Sequence, residues 1–194
     1  MLVLKNIWMV WVDSLYLLLY STKMIIYLVG YMGSGKSRLG RKLANRIGFG
    51  FIDLDTLFEE RNRCNIAEFF MQYGEALFRR REEALLEEVA ANQTNTVVAA
   101  GGGTPCYADN MALMNRTGLT IYIKLSPVSL AQRLRVSSGK RPLLEGVMDD
   151  EFDQYVANHL NQREEYYMRS HYVIRGEDLT PEKIEQELLP VLPS

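Results

Sequence analysis

With 194 residues, 47% apolar and 24% charged, the chain is long enough for one compact domain and too rich in core residues for general disorder. Lysine and arginine number 22 against 24 acidic residues, a net charge of −2, so nothing in the balance marks a nucleic-acid binder or an acidic tail. Two cysteines, Cys64 and Cys106, and two histidines, His159 and His171, are too few for a disulfide framework or a histidine-based metal centre. Free thiols fit a reducing, cytoplasmic setting.

Residues 1–23 are much more apolar than the rest of the chain, but Asp13 and Ser14 split them into two short runs. Neither approaches the about 20 residues that a membrane helix needs. Ser21-Thr22-Lys23-Met24 is a poor cleavage site for a signal peptide. The segment is an extension outside a catalytic core spanning residues 24–194.

From Met24 the pattern alternates strand and helix. Met24–Val29 is a continuous apolar run of the kind buried on both faces of a parallel sheet. Leu39, Leu43 and Ile47 then fall at helical spacing in Lys36–Ile47. Phe51–Asp53 is a second strand. Two helical segments come next, the first opened by an Asn65/Glu68 capping box and the second spanning Glu75–Ala91. Thr96–Ala100 and Leu119–Leu125 are further strands, and a helix runs from Pro127 to about Arg135. Ser137–Gly146 has turn chemistry and the weak periodicity of a mobile loop. A polar helix from about Asp150 to Met168, a fifth strand Tyr172–Ile174 and a helix opened by Thr180-Pro181 complete the chain. Strands separated by helices predict one doubly wound α/β domain: a five-stranded parallel sheet with helices on both faces.

Gly30-Tyr31-Met32-Gly33-Ser34-Gly35-Lys36-Ser37 fits G-x-x-x-x-G-K-[ST], between a buried strand and a helix, where a phosphate cradle belongs. The backbone N–H groups of Gly33, Ser34 and Gly35 and the helix N-terminus face a phosphate chain. Lys36 adds a point charge for the β- and γ-phosphates, and Ser37 a hydroxyl for Mg²⁺. No N-K-x-D segment specifies guanine, and the chain is short for a motor, which favours a small kinase.

Three further clusters fit an acceptor site. Asp53 and Asp55 end the second strand, and strand alternation places both on one side. One suits a metal's water shell and the other an acceptor hydroxyl; the plainer reading is a helix cap and a solvated acid. In Arg79-Arg80-Arg81 successive residues stand about 100° apart on a helix, so at most one or two point into a cleft. An inward guanidinium would grip a carboxylate; otherwise the run is solvated and pairs with Glu82 and Glu83. The triplet Gly101-Gly102-Gly103 after a buried strand suggests close backbone approach to a ligand. Lys140-Arg141-Pro142 could close an arginine over the phosphates.

Together these residues resemble the shikimate kinase family, small P-loop enzymes of aromatic amino-acid biosynthesis with a nucleoside-monophosphate-kinase-like fold and a mobile lid. The resemblance runs from about Met24 to Leu189. It is carried by GYMGSGKS at Gly30–Ser37, DLD at Asp53–Asp55, FRR at Phe78–Arg80, GGG at Gly101–Gly103, RPLL at Arg141–Leu144 and Arg163 in NQREEYY. It implies transfer of the ATP γ-phosphoryl group to the 3-hydroxyl of shikimate. Lys36 and Ser37 would serve ATP and Mg²⁺, and Asp53 would meet the metal through water. Asp55 would bind shikimate hydroxyls and act as base. Arg79 and Arg163 would hold the carboxylate, with the Gly101–Gly103 backbone beside it. Arg141 would be the arginine of a lid at about 137–147. Arg133 would pack against adenine, with Arg135 competing for that place. The expected partners are these small molecules, for a monomer with no nucleic-acid or membrane partner. The alternatives are a gluconate kinase-like enzyme and a nucleotide-dependent binding protein without catalysis.

Overall fold

A computed structural model describes residues 24–136, 148, 150–177 and 179–188. The predicted extension and lid, with Arg141, lie outside them. Strand β1 (Ile25–Val29) leads through the glycine-rich loop to α1 (Lys36–Ile47), β2 (Gly50–Asp53), α2 (Leu54–Asn62) and α3 (Ile66–Asn92). Then come β3 (Thr96–Ala99), a 3₁₀ turn (Thr104–Cys106), α4 (Asn110–Thr117), β4 (Leu119–Lys124) and α5 (Pro127–Val136). Helix α6 (Phe152–Tyr167), β5 (Tyr172–Arg175) and α7 (Pro181–Leu188) end the order. Every strand pair is parallel, and the sheet order is β2-β3-β1-β4-β5.

Alternation along the strands divides the core into two layers. Ile26, Leu28, Val97, Ile121 and Ile123 pack with Leu43 and Ala44 of α1 and with Ile184 and Leu188 of α7. On the opposite face Tyr27, Val29, Val98 and Tyr122 meet Phe58 of α2, Leu86 of α3, Met114 of α4, Leu134 of α5 and Val156 of α6. Each fully buried side chain of this kind contributes about 1.5–3 kcal/mol. Among the described residues, no helix is long and apolar enough to cross a membrane.

The predicted capping box is present: Asn65 Oδ1 accepts from the Glu68 N–H at 2.8 Å, and Glu68 Oε2 from the Asn65 N–H at 3.2 Å. Both predicted segments are present within α3 and meet at a kink at Gly74, whose φ of 77° and ψ of 167° suit glycine alone. Two helices went unpredicted. Helix α4 has only eight residues, and its N-cap Asp109 makes no side-chain bond. Helix α2 begins directly after β2, because Asp53 Oδ1 accepts from the N–H groups of Asp55 at 3.1 Å and Thr56 at 3.3 Å. This corrects the alternation argument, since Asp55 lies in a helix's first turn and not on a strand.

The winding of the chain fixes where a ligand can enter. Helix α1, after β1, covers one face of the sheet, while the 3₁₀ turn and α4, after the neighbouring β3, lie on the other. The crevice beyond the C-terminal ends of β1 and β3 is thus the switch point of the sheet, where α/β folds of this kind bind ligands. The phosphate loop and the glycine triplet meet there: a Cβ on Gly102 would lie 3.1 Å from the Met32 backbone nitrogen.

Candidate active site

The phosphate loop is built as its sequence requires. Gly35, at the N-cap of α1, has φ 93° and ψ 14°, a left-handed conformation that turns the first helical N–H groups towards an anion. Lys36 is buried, and its Nζ donates to the carbonyls of Gly30 at 2.8 Å and Tyr31 at 3.0 Å. Ser37 lies exposed on the first turn of α1. The Ser34 hydroxyl is buried and finds no hydrogen-bond partner among the described residues. Such an orphan at a helix N-terminus suits a phosphate oxygen. Arg133 of α5 reaches this loop: its guanidinium donates to the Ser34 carbonyl at 3.5 Å and to the Glu177 carbonyl at 2.9 Å. Arg135 instead pairs with Asp153 at 2.8 Å and stacks on Phe152. Of the two competing arginines, Arg133 is the one at the phosphate loop.

The acceptor side gathers around the glycine triplet. A Cβ on Gly101 would come within 2.6 Å of Asp55 Oδ1, 2.8 Å of Thr104 Oγ1 and 2.9 Å of Glu82 Oε1. On Gly103 it would meet the Arg79 guanidinium. Close approach explains the triplet, and protein side chains supply part of it. Of the arginine run only Arg79 is buried; Arg80 and Arg81 are both exposed. Arg79 NH1 donates to Glu82 Oε2 at 2.7 Å, while Nε and NH2 donate to Glu75 Oε1 at 3.2 and 3.1 Å. Burial opposes the Arg79 charge, but the Glu82 and Glu75 carboxylates outweigh it and hold its pKa above the usual value. Glu82 is buried too and also accepts from Thr104 Oγ1 at 2.5 Å.

Arg163 closes the far side of this cluster. Helix α6, which carries it, packs on the 3₁₀ turn, and the Tyr167 hydroxyl, one helical turn on, donates to the Gly102 carbonyl at 2.6 Å. Arg79 and Arg163 both act electrostatically on Cys106, whose thiol is pushed up chiefly by burial. Unlike Arg79, Arg163 has a buried guanidinium nitrogen, NH1, with no hydrogen-bond partner among the described residues.

The predicted residues thus fall into two adjoining groups. Gly33–Ser37 and Arg133 are on the phosphate side; Asp55, Arg79, Gly101–Gly103 and Arg163 are on the acceptor side. Asp53 ends the edge strand β2, next to β3, and caps α2.

Comparison with known proteins gives the family. The shikimate kinase family model matches residues 32–193. The chain belongs to the shikimate kinase family. A shikimate kinase of Bacteroides thetaiotaomicron is 42% identical over 154 residues, covering 79% of this chain and 87% of the relative. One from Flavobacterium psychrophilum is 36% identical over 168 residues, covering 86% and 98%. The crystal structure of the B. thetaiotaomicron enzyme superposes with a TM-score of 0.79 at 39% identity, covering 87% of this chain and 99% of that one. Acinetobacter baumannii shikimate kinase in complex with shikimate superposes at 0.78 and 30% identity, over 90% and 96%. Shikimate kinases are ATP-dependent phosphotransferases, so the non-catalytic alternative is set aside.

Sequence reasoning named Glu82 only as a partner of a solvated run, and missed Glu75 and the burial of the Arg79–Glu82 pair. The signal was there: Glu75 and Glu82 stand four residues before and three after it, the spacings at which helical side chains meet. It also missed the contact between Tyr31 and His159, whose hydroxyl and Nδ1 lie 2.7 Å apart. Nothing in the sequence pairs residues so far apart.

Proposed function

We propose that this chain transfers the γ-phosphoryl group of ATP to the 3-hydroxyl of shikimate, giving shikimate 3-phosphate and ADP. The observation that carries the reading is the orphaned nitrogen of Arg163, whose guanidinium acts on Cys106 together with that of Arg79. A buried guanidinium with an unused donor asks for an anion. A ligand carrying a carboxylate at one end and hydroxyls at the other would satisfy Arg163 while presenting a hydroxyl to Asp55.

The acceptor hydroxyl oxygen attacks the γ-phosphorus in line, the bond to the β–γ bridging oxygen breaks, and the hydroxyl proton passes to the Asp55 carboxylate. Lys36 leaves the Gly30 and Tyr31 carbonyls to meet the β- and γ-phosphates, and the loop N–H groups hold the phosphate chain. Arg141, from its place in the RPLL segment, is assigned to the charge that develops on the transferring group. Arg133 is assigned to the adenine side, and the Gly101–Gly103 backbone to the acceptor.

The donor set suits Mg²⁺. Among the described residues no three His, Cys, Asp or Glu side chains converge on a metal site. The Ser37 hydroxyl and the Asp53 carboxylate are two hard oxygen donors, fitting a cation that keeps waters and takes phosphate oxygens. Ser37 would hold it directly. Asp53, whose cap bonds use Oδ1 alone, would hold it through water. When bound, the ion neutralises phosphate charge.

ADP release with ATP, Mg²⁺ and a panel of hydroxy acids tests the reading. Turnover on shikimate and not on gluconate is expected; turnover on gluconate alone overturns it in favour of a gluconate kinase-like activity.

A further inference from the structure

Tyr31 and His159 tie the two halves of the site together. Tyr31 is the second residue of the phosphate loop and is buried. Its carbonyl accepts from Lys36 Nζ at 3.0 Å and from the Ser34 N–H at 3.2 Å. Its side chain crosses to α6, where the hydroxyl and His159 Nδ1 share a 2.7 Å hydrogen bond. The two rings meet edge to face, centroids 5.5 Å apart. His159 stands four residues before Arg163 on the same helix, so the two share a face one turn apart. A continuous path therefore runs from Lys36 through Tyr31 and His159 to Arg163.

We propose that His159 is a positioning residue of the acceptor site: its neutral Nδ1 accepts the Tyr31 hydroxyl proton, and this bond fixes the turn of α6 that aims Arg163 at the acceptor carboxylate. The inference rests on the role given to Arg163 above. A phenol is a good donor, and only an unprotonated Nδ1 can receive it. The surroundings keep the ring neutral. Burial and the Arg163 charge lower the His159 pKa to about 4, outweighing Glu75 of α3, which raises it. Tyr155, one turn earlier on α6, packs its ring against the imidazole, and Tyr31 covers it from the phosphate loop. An imidazolium here could no longer accept from Tyr31 and would repel Arg163.

Shikimate and ATP affinities of Tyr31→Phe, His159→Leu, His159→Asn and the Tyr31→Phe/His159→Leu double variant test this, with wild type and Arg163→Ala alongside. Tyr31→Phe and His159→Leu each raise the shikimate Kd by about three- to tenfold, the range for one neutral hydrogen bond. The double variant is no worse than either single change, because both remove the same bond. His159→Asn recovers most of the affinity, since its amide oxygen can take the place of Nδ1, and the His159 variants keep their ATP affinity. An unchanged shikimate Kd in His159→Leu, additive losses, or Asn no better than Leu overturns the inference. Failure of wild type to bind shikimate, or full affinity in Arg163→Ala, would instead overturn the acceptor-site reading itself.

Nitrogen-15 NMR of the two histidines reads the same claim with no substitution. His159 is expected as the Nε2–H tautomer, titrating near pH 4. An Nδ1–H tautomer, or an ordinary midpoint near 6.5, overturns it.

Discussion

Gly103 lies against the guanidinium of Arg79: a methyl group on its α-carbon would come within 2.5 and 2.6 Å of the two terminal nitrogens. Arg79 cannot swing aside freely, because Glu82 and Glu75 hold three of its nitrogens. The glycine and the arginine are therefore one unit, although they stand 24 positions apart in the sequence.

Gly103→Ala accordingly displaces Arg79 and weakens the acceptor more than the nucleotide. We expect the KM for shikimate to rise while the ATP Kd and the far-UV spectrum stay at wild-type values. An unchanged shikimate KM would mean that the Arg79 fork has no part in binding.

With Arg163 holding the acceptor carboxylate as proposed, Arg163→Ala is expected to cost one charge-assisted hydrogen bond, about 1.5–3 kcal/mol, or roughly 10- to 150-fold in shikimate affinity. Arg79→Ala adds a second effect by leaving the Glu82 carboxylate buried and half-satisfied. Removing one partner of a buried pair costs about 3–5 kcal/mol, so this variant also loses thermal stability. Arg81→Ala, on the exposed face, does neither. Calorimetric binding and melting temperatures of the three variants separate these effects, and equal behaviour at positions 79 and 81 contradicts the assignment.

Asp55→Asn keeps the shape of the side chain and loses its ability to take a proton. General-base help is typically worth about 10²–10⁴-fold, and the loose transition state of phosphoryl transfer favours the low end. The expected result is a fall in kcat with ATP affinity preserved. A rise in shikimate KM at constant kcat would make Asp55 an orienting group only.

The depressed His159 pKa also predicts how stability depends on pH. Between its ordinary value of 6.5 and about 4, the unfolded chain binds a proton that the folded chain refuses. Stability therefore falls as pH drops through that window. His159→Asn does not titrate, so its urea midpoint declines less steeply from pH 6.5 to 4 than that of wild type. Parallel curves would show that the imidazole takes up its proton equally in the folded and unfolded states, with no depressed pKa.

Much of this molecule is legible in its sequence because the signals are local. The run Met24–Val29, the phosphate-loop glycines and the Asn65/Glu68 box each act within a few residues, and the strands and most helices are read from such signals. Helix α2 was hidden because Asp53 both ends a strand and caps a helix, so no turn residue separates them. Helix α4 is short and has no side-chain cap to announce it. The arginine run shows the same divide: spacing limits how many can face the cleft, but choosing Arg79 takes the tertiary packing of α3 over the glycine triplet. The Tyr31–His159 bond joins residues 128 positions apart, which no local pattern encodes.

The most direct measurement is a cycle between the acceptor carboxylate and Arg163. The kcat/KM for shikimate and for its methyl ester would be compared in wild type and in Arg163→Ala. If the orphaned guanidinium nitrogen takes the carboxylate, esterification costs wild type about 10- to 150-fold and costs the variant much less, because the charge-assisted bond is already gone. An equal penalty in both enzymes would mean that the carboxylate binds elsewhere, and the acceptor site described for this chain would be wrong.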